Sequence, residues 1–415
     1  MAQAVQKKNW KRDIILFLSS QTISLFGSAL VQYAIMWYVT LTTKSGLMMT
    51  LFIICGFIPT FLLSPFAGVW ADRFNRKFLI MIADAMIALV TLILAITFLL
   101  GYKEPWLLFV IAAVRALGAG IQTPAVAAIL PQIVPEDKLT KVNGINSSLQ
   151  ALMMFVAPIV SASLLTWATI EFIFFIDVVT AALAIGALFF FLKIPLHEKA
   201  SEQQTTSYLD DFKLGLSYIK NHSFLKPFFT FFAFFFVLMA PAAFLTPLQV
   251  ARSFGEEYWR LTAIEIAFSI GMMAGGAIIA SWGGFRNKIF TMAFANVVMG
   301  LCTIALGVTP VFWIYLIFMG LFGVAMPMAN TPTMVLLQER VDPNYMGRIF
   351  GIFSMISTSM MPIGMMIFGP LADVIQIEWL LFGTGLLLVA LAIMFISSKR
   401  LVEAGKPVAK EASES

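Results

Sequence analysis

The chain has 415 residues, 60% of them hydrophobic and 12% charged, against roughly 45–50% and about 25% in soluble domains. A single soluble core cannot absorb that excess, because cores stop growing near ~250–300 residues. A soluble globular protein, a disordered chain and a disulfide scaffold are therefore excluded; mean hydropathy +0.91 points to an integral membrane protein, in which a net charge of +5 reflects cytoplasmic loops.

Apolar runs separated by polar punctuation predict twelve spanning helices. They cover 14–40, 46–70, 78–101, 106–128, 142–166, 171–192, 224–250, 261–282, 289–308, 311–335, 348–374 and 378–397. Each has about the ~20 residues that a bilayer requires. The runs lack the short alternation of a membrane barrel, so an all-α fold is expected. The first run is too long for the apolar part of a signal peptide. Cys55 and Cys302 sit in apolar runs, and the two histidines, His197 and His222, share one polar segment. Neither a disulfide framework nor a metal site can be built from these, and no cofactor is expected. No nucleotide loop or paired histidine supports a membrane enzyme, and no basic patch interleaved with aromatics supports nucleic-acid binding.

Span 1 carries Gln21, Ser24, Ser28 and Gln32, a spacing that places them on one helical face. The loop after span 2 reads Gly68-Val-Trp-Ala-Asp72-Arg73-Phe-Asn-Arg76-Lys77. Asp72 can cap the next turn or pair with Arg73 or Arg76. Asp84 lies early in span 3, where it can serve as a proton carrier or pair with the loop arginines. Arg115 lies roughly 14 Å into span 4 at 1.5 Å per residue, with Gly118 and Gln122 on the same face. An arginine near the bilayer midplane costs at least ~2.5–3.5 kcal/mol, so it requires a partner, either as a structural ion pair or in a functional site. Span 5 adds Asn143, Asn146, Ser147 and Gln150, a face suited to a helix contact or a wet cavity. Asp177 in span 6 and Glu265 in span 8 are further intramembrane acids in the outer third, where they can carry a proton or only border the outer vestibule. Asp13 and Asp373 stand at span ends and are not taken as site residues. Between Lys193 and His222, Leu209, Phe212, Leu216 and Ile219 recur at helical spacing. That segment reads as an amphipathic helix on the inner surface or as a solvated linker. Of the 24 methionines, those around Met326 in span 10 suit a promiscuous apolar site or ordinary packing.

Two patterns organise these spans. With the N-terminus inside, 22 of the 27 Lys and Arg fall on the inner side, four on the outer side, and Arg115 lies within a span. The positive-inside rule then places both termini in the cytoplasm. The halves also repeat. Val134–Ile145 lines up with Val341–Ile352 at an offset of 207, and Thr123-Pro124 with Thr331-Pro332 at 208. Gly68 lines up with Gly276, again at 208. Parallel repeats of six spans point to a transporter with its site between the halves.

The Gly68-to-Lys77 string resembles the signature loop of the major facilitator superfamily, with Asn75 where the family usually has Gly. That resemblance implies a fold of two six-helix bundles, 1–193 and 223–400, joined by a linker over 194–222 and followed by a tail over 401–415. It implies that Asp72, Arg73 and Arg76 form a cytoplasmic latch. It also implies a substrate cavity lined by the first helix of each three-helix unit, hence Gln21, Ser24, Ser28, Gln32 and Gln122, to which Met326 is added as a soft apolar side chain. Arg115-Ala-Leu-Gly118-Ala-Gly120 is similar to the span 4 motif of proton-coupled members, which makes Asp84, Arg115, Asp177 and Glu265 the proton-coupling candidates. Ala157-Pro158 with Ser161 and Ala162 is a degenerate form of the exporters' Gly-Pro element. Trp10-Lys, Gln21 with Ser28, Ile176-Asp177-Val, Glu265-Ile-Ala-Phe and Gln338-Glu resemble the macrolide-efflux branch of the bacterial drug:proton antiporters. The expectation is a multi-pass protein of the bacterial plasma membrane that exchanges protons for small amphipathic substrates. Siderophore or lipid transport is the alternative within the same fold.

Overall fold

A computed structural model of the chain describes residues 10–192, 208–343 and 345–407, apart from the side chains of residues 64, 65, 68, 69, 72, 73, 136 and 208–211. The linker expected over 194–222 and the tail over 401–415 therefore lie partly outside the described residues. Among those residues the structure is helical, with no strand. Six helices come first: α1 (Trp10–Thr43), α2 (Gly46–Arg73), α3 (Arg76–Leu99), α4 (Pro105–Ile133), α5 (Leu139–Trp167) and α6 (Ile170–Phe191). A short α7 (Tyr208–Asn221) follows. Then come α8 (Leu225–Phe244), α9 (Thr246–Ser253), α10 (Tyr258–Trp282), α11 (Lys288–Val308) and α12 (Phe312–Arg340). The last helices are α13 (Met346–Leu371), α14 (Ile377–Ser397) and α15 (Lys399–Ala404). Twelve segments are long and apolar enough to cross a bilayer, as the sequence predicts. Span 7, expected as one helix over 224–250, breaks at Leu245 into α8 and α9. Pro241 and Pro247 each remove a backbone donor there, and a proline ring clashes with the preceding turn.

Asn75 is the N-cap of α3, its side chain accepting from the N–H of Lys77 (3.0 Å) and of Phe78 (3.4 Å). This capping role gives a physical reason for asparagine at a position where glycine is usual, since a glycine has no side-chain acceptor. Asn287 caps α11 in the same way, accepting from Ile289 N at 3.0 Å.

The chain divides into two compact units. Unit 1 comprises Met1–Thr42 and Leu51–Thr205, and unit 2 comprises Thr43–Thr50 and Thr206–Ser415. In unit 1, α3 packs against α4 and α6. Phe17, Ile80, Ile129, Val142 and Leu188 meet in an apolar core with Ile14 and Leu130. In unit 2, Phe228, Phe231, Phe232 and Phe235 of α8 join Phe353 and Phe395 in a ring cluster. Phe231 and Phe395 stack at 3.9 Å between centroids. Elsewhere in unit 2, α10 and α12 approach through small residues: a Cβ on Gly271 would lie 2.0 Å from the Gly320 carbonyl oxygen, and one on Gly275 2.1 Å from that of Val324. Without lipid-excluding hydrophobic force between helices, such close backbone contact supplies the van der Waals attraction that holds spans together.

The segment expected as an amphipathic helix or a linker contains α7. Its Ile219 is buried, and Gly215 faces Ile352 and Arg348 of α13. Tyr218 stacks on Tyr345 at 4.3 Å, while Phe212 and Leu216 remain exposed. The Leu209 side chain lies outside the described residues.

Candidate functional site

Polar residues from α1, α3, α4 and α6 meet inside unit 1 in two layers. The layers follow from helical repeat: Asp84 and Thr91 are seven residues apart on α3, and Arg115 and Gln122 are seven apart on α4. Seven residues are about 10 Å of helix axis. Because α3 and α4 run antiparallel, Asp84 lies beside Gln122, and Thr91 beside Arg115.

The first layer is built on Asp84, which is 2% exposed. Its Oδ1 accepts from Ser24 Oγ at 2.7 Å and from Gln122 Nε2 at 2.8 Å. The same amide lies 3.4 Å from Gln21 Oε1. Asp84 Oδ2 and Gln21 Nε2 are buried with no hydrogen-bond partner among the described residues. Both donors to Asp84 are neutral. No cation forms an ion pair with it among the described residues.

The second layer is an ion pair. Arg115 Nη1 donates to Asp177 Oδ2 at 2.5 Å, with side chains 8% and 1% exposed. Arg115 also donates to the Ser28 carbonyl (3.1 Å) and to Thr91 Oγ1. Ser28 Oγ donates to Asp177 Oδ1 at 3.2 Å. The Thr91 hydroxyl lies 3.1 Å from Asp177 Oδ2 and 2.8 Å from the Ile87 carbonyl, and its single proton serves one acceptor at a time. Gly27 makes this layer possible. A Cβ there would sit 2.0 Å from Thr180 Oγ1 and 3.0 Å from Asp177 Cα, so any larger residue would hold α1 away from α6.

The structure thus brings together Gln21, Ser24, Ser28, Asp84, Arg115, Gln122 and Asp177. Gln21, Ser24 and Gln122 are buried against Asp84 rather than presented to open space. Gln32, a turn beyond Ser28, is exposed and outside the cluster. Glu265 on α10 and Met326 on α12 belong to unit 2 and are half-buried. Glu265 makes no hydrogen bond or ion pair with the described residues. The side chains of Asp72 and Arg73 lie outside the described residues. Arg76 donates to the Ala71 carbonyl at 2.8 Å and to the Ala128 carbonyl at 2.7 Å, which braces the end of α2 against α4.

Sequence reasoning missed three groups. Thr91 was signalled by its seven-residue spacing from Asp84. Tyr315 donates to Gln249 Oε1 (2.9 Å), and Gln249 Nε2 donates to the Leu306 carbonyl (2.9 Å), which closes a buried network in unit 2. Asp373, beyond the end of α13, accepts from the N–H of Gly46 (2.7 Å) and Leu47 (2.9 Å), from Ser45 Oγ (2.7 Å) and from Arg252 (2.8 Å). It caps the start of α2, and no local pattern pairs residues so far apart in the chain.

A buried ion pair and a separate acid inside a multi-span bundle are costly in a bilayer, and such groups mark a functional site by default. The sequence model of the Major Facilitator Superfamily matches residues 14–365. The chain belongs to the major facilitator superfamily. Its family and its fold are those of membrane transporters. Macrolide efflux protein A of Streptococcus pyogenes is 27% identical over 388 residues, covering 93% of this chain and 96% of that protein. The staphyloferrin A transporter of Staphylococcus aureus is 22% identical over 396 residues, covering 92% and 96%. Among solved structures, a bacterial homologue of the human lysosomal transporter Spinster, inward-facing and unoccupied, aligns with a TM-score of 0.70 at 13% identity. That alignment covers 97% of this chain and 99% of the other.

Proposed function

We propose that this superfamily member exports small amphipathic compounds of the macrolide type in exchange for protons, by alternating access in a bacterial plasma membrane. The observation that carries the proton exchange is Asp84. It is a buried carboxyl that, among the described residues, accepts only from neutral donors and has one oxygen without a partner. An unmatched buried anion is costly, whereas a group that alternates between neutral and charged forms as its surroundings open is what exchange demands. Arg115 stays charged throughout. Its role here is to hold Asp177 and fix α1, α3, α4 and α6 in register. Glu265, also without a partner among the described residues, is the second carrier candidate.

The cargo assignment rests on the resemblance to Macrolide efflux protein A, and the degenerate Ala157-Pro158 element supports export. The resemblance to the staphyloferrin A transporter favours a siderophore as the second reading. The 22-to-4 split of Lys and Arg supports cytoplasmic termini.

In proteoliposomes, Asp84→Asn should abolish macrolide accumulation driven by a pH gradient yet retain downhill exchange, because only the coupling is lost. Glu265→Gln, measured alongside, distinguishes the two acids. Uphill accumulation that survives in both variants and in their combination would exclude proton exchange through these acids. Transport of a siderophore but of no macrolide in the same vesicles would replace the cargo.

A further inference from the structure

A crevice of about 650 Å3 opens between the first turns of α8 and the last turns of α14 in unit 2. Its walls are mainly apolar: Phe231 and Phe234 on α8, and Leu391 and Met394 on α14, with Thr230 the polar residue between them. Phe234 and Met394 are 59% and 68% exposed, as expected of a groove on the lipid-facing side of two spans. At its mouth stand Lys226, Lys399 and Arg400, with Ser398 beside them. No acid lines it. The charged groups of these three residues form no hydrogen bond or ion pair with the described residues. Glu403, one turn from Lys399 on α15, is exposed and pairs with none of them.

We propose that this crevice is a binding site for an anionic phospholipid taken from the surrounding bilayer. The charge pattern selects the occupant. Three cations stand at one end of the crevice, where the spans leave the apolar layer, and the one polar side chain in the walls below, Thr230, already donates its hydroxyl proton to the Lys226 carbonyl at 2.9 Å. From Lys226 to Phe234 is eight residues, about 12 Å of helix, so the cations sit at headgroup level and the aromatic walls at acyl-chain level. A phosphodiester bearing a net negative charge satisfies the mouth while its chain covers the walls. A zwitterionic lipid would bring its own ammonium or choline group against three cations. Basic residues at span ends also set topology, but topology requires only nearby charge, not a crevice with convergent cations. Basic pockets between spans are a recognised form of anionic-headgroup recognition. The site is independent of cargo and proton exchange.

The test uses the purified full-length chain, delipidated in detergent and titrated with dioleoylphosphatidylglycerol or dioleoylphosphatidylcholine, with bound lipid counted by native mass spectrometry. Saturable binding of phosphatidylglycerol, at least tenfold tighter than phosphatidylcholine, is expected. The triple variant Lys226→Gln, Lys399→Gln, Arg400→Gln should lose that preference. Met394→Trp, which fills the crevice and leaves every charge in place, should weaken binding by a similar factor. A chain ending at residue 407 should bind as the full chain does, because the lipid and not the acidic tail occupies the crevice. Equal affinity for the two lipids, or unchanged phosphatidylglycerol binding in the triple variant or in Met394→Trp, would overturn the proposal. So would tighter binding by the shortened chain, or displacement of the lipid by millimolar inorganic phosphate.

Discussion

Replacing Asp177 with asparagine would leave Arg115 as a cation inside the bundle with no counter-charge. The two side chains are 1% and 8% exposed and 2.5 Å apart, so solvent contributes little screening to either. Breaking a buried pair by removing one partner costs about 3–5 kcal/mol, mostly from the charge left behind. Asparagine keeps an amide oxygen for Ser28 or for one Arg115 nitrogen, which places Asp177→Asn near the lower end, about 3 kcal/mol. Arg115→Met should cost as much or more, since Asp177 would then retain only the hydroxyls of Ser28 and Thr91. Combining Arg115→Met with Asp177→Leu removes both charges. Thr91 can then turn wholly to the Ile87 carbonyl at 2.8 Å. The double variant should therefore be more stable than either single variant. The assay is the equilibrium unfolding midpoint of the four proteins in one detergent, combined as a double-mutant cycle. Additive losses, with the double variant the least stable of the four, would refute the view that the pair is held by mutual neutralisation.

Two further outcomes follow from geometry elsewhere. Gly275→Ala would drive a Cβ to within 2.1 Å of the Val324 carbonyl oxygen, a backbone atom that cannot step aside. It should destabilise by about 1–3 kcal/mol. Gly276→Ala, with nothing within 4 Å, should be neutral or gain up to about 1 kcal/mol from helix propensity; unfolding midpoints of the two neighbours check both. Burial pushes the Asp373 carboxyl up, but the N–H of Leu47, the Ser45 hydroxyl, the N–H of Gly46 and Arg252 together hold it below the usual carboxylate range. With the folded value depressed, the contact is intact above the ordinary range and is lost as pH falls through the lowered value. Hydrogen-exchange protection of residues 44–50, corrected for intrinsic rate, should hold at neutral pH and fall only below about pH 4. Asp373→Asn should lower the protection at every pH and remove that dependence. A wild-type profile that declines from pH 6 would contradict the assignment.

The twelve spans were legible because a bilayer imposes length and apolarity on each helix separately. Runs such as 171–192 and 378–397 match α6 and α14 to within a residue at each end. The break in span 7 was harder to read. Pro241 and Pro247 are visible, but spans such as α12 carry Pro327 and Pro332 without breaking, so proline alone does not decide. The polar faces were also legible. Gln21, Ser24 and Ser28 follow helical spacing, as do Arg115 and Gln122, and periodicity fixes which residues share a face.

Periodicity does not fix which face meets which. That Arg115 neutralises Asp177 and leaves Asp84 to Ser24 and Gln122 depends on α1, α3, α4 and α6 settling at one mutual register. Asp373 capping α2 from more than three hundred residues away is a matter of the same kind. The sequence by itself determined the number of spans, the family, and the side chains that had to find partners in the bilayer. The tertiary structure alone decided the partners. Lipid penalises a buried charge that is left uncompensated, whereas the close approach of particular backbones, allowed at Gly27 and Gly275, selects which groups meet.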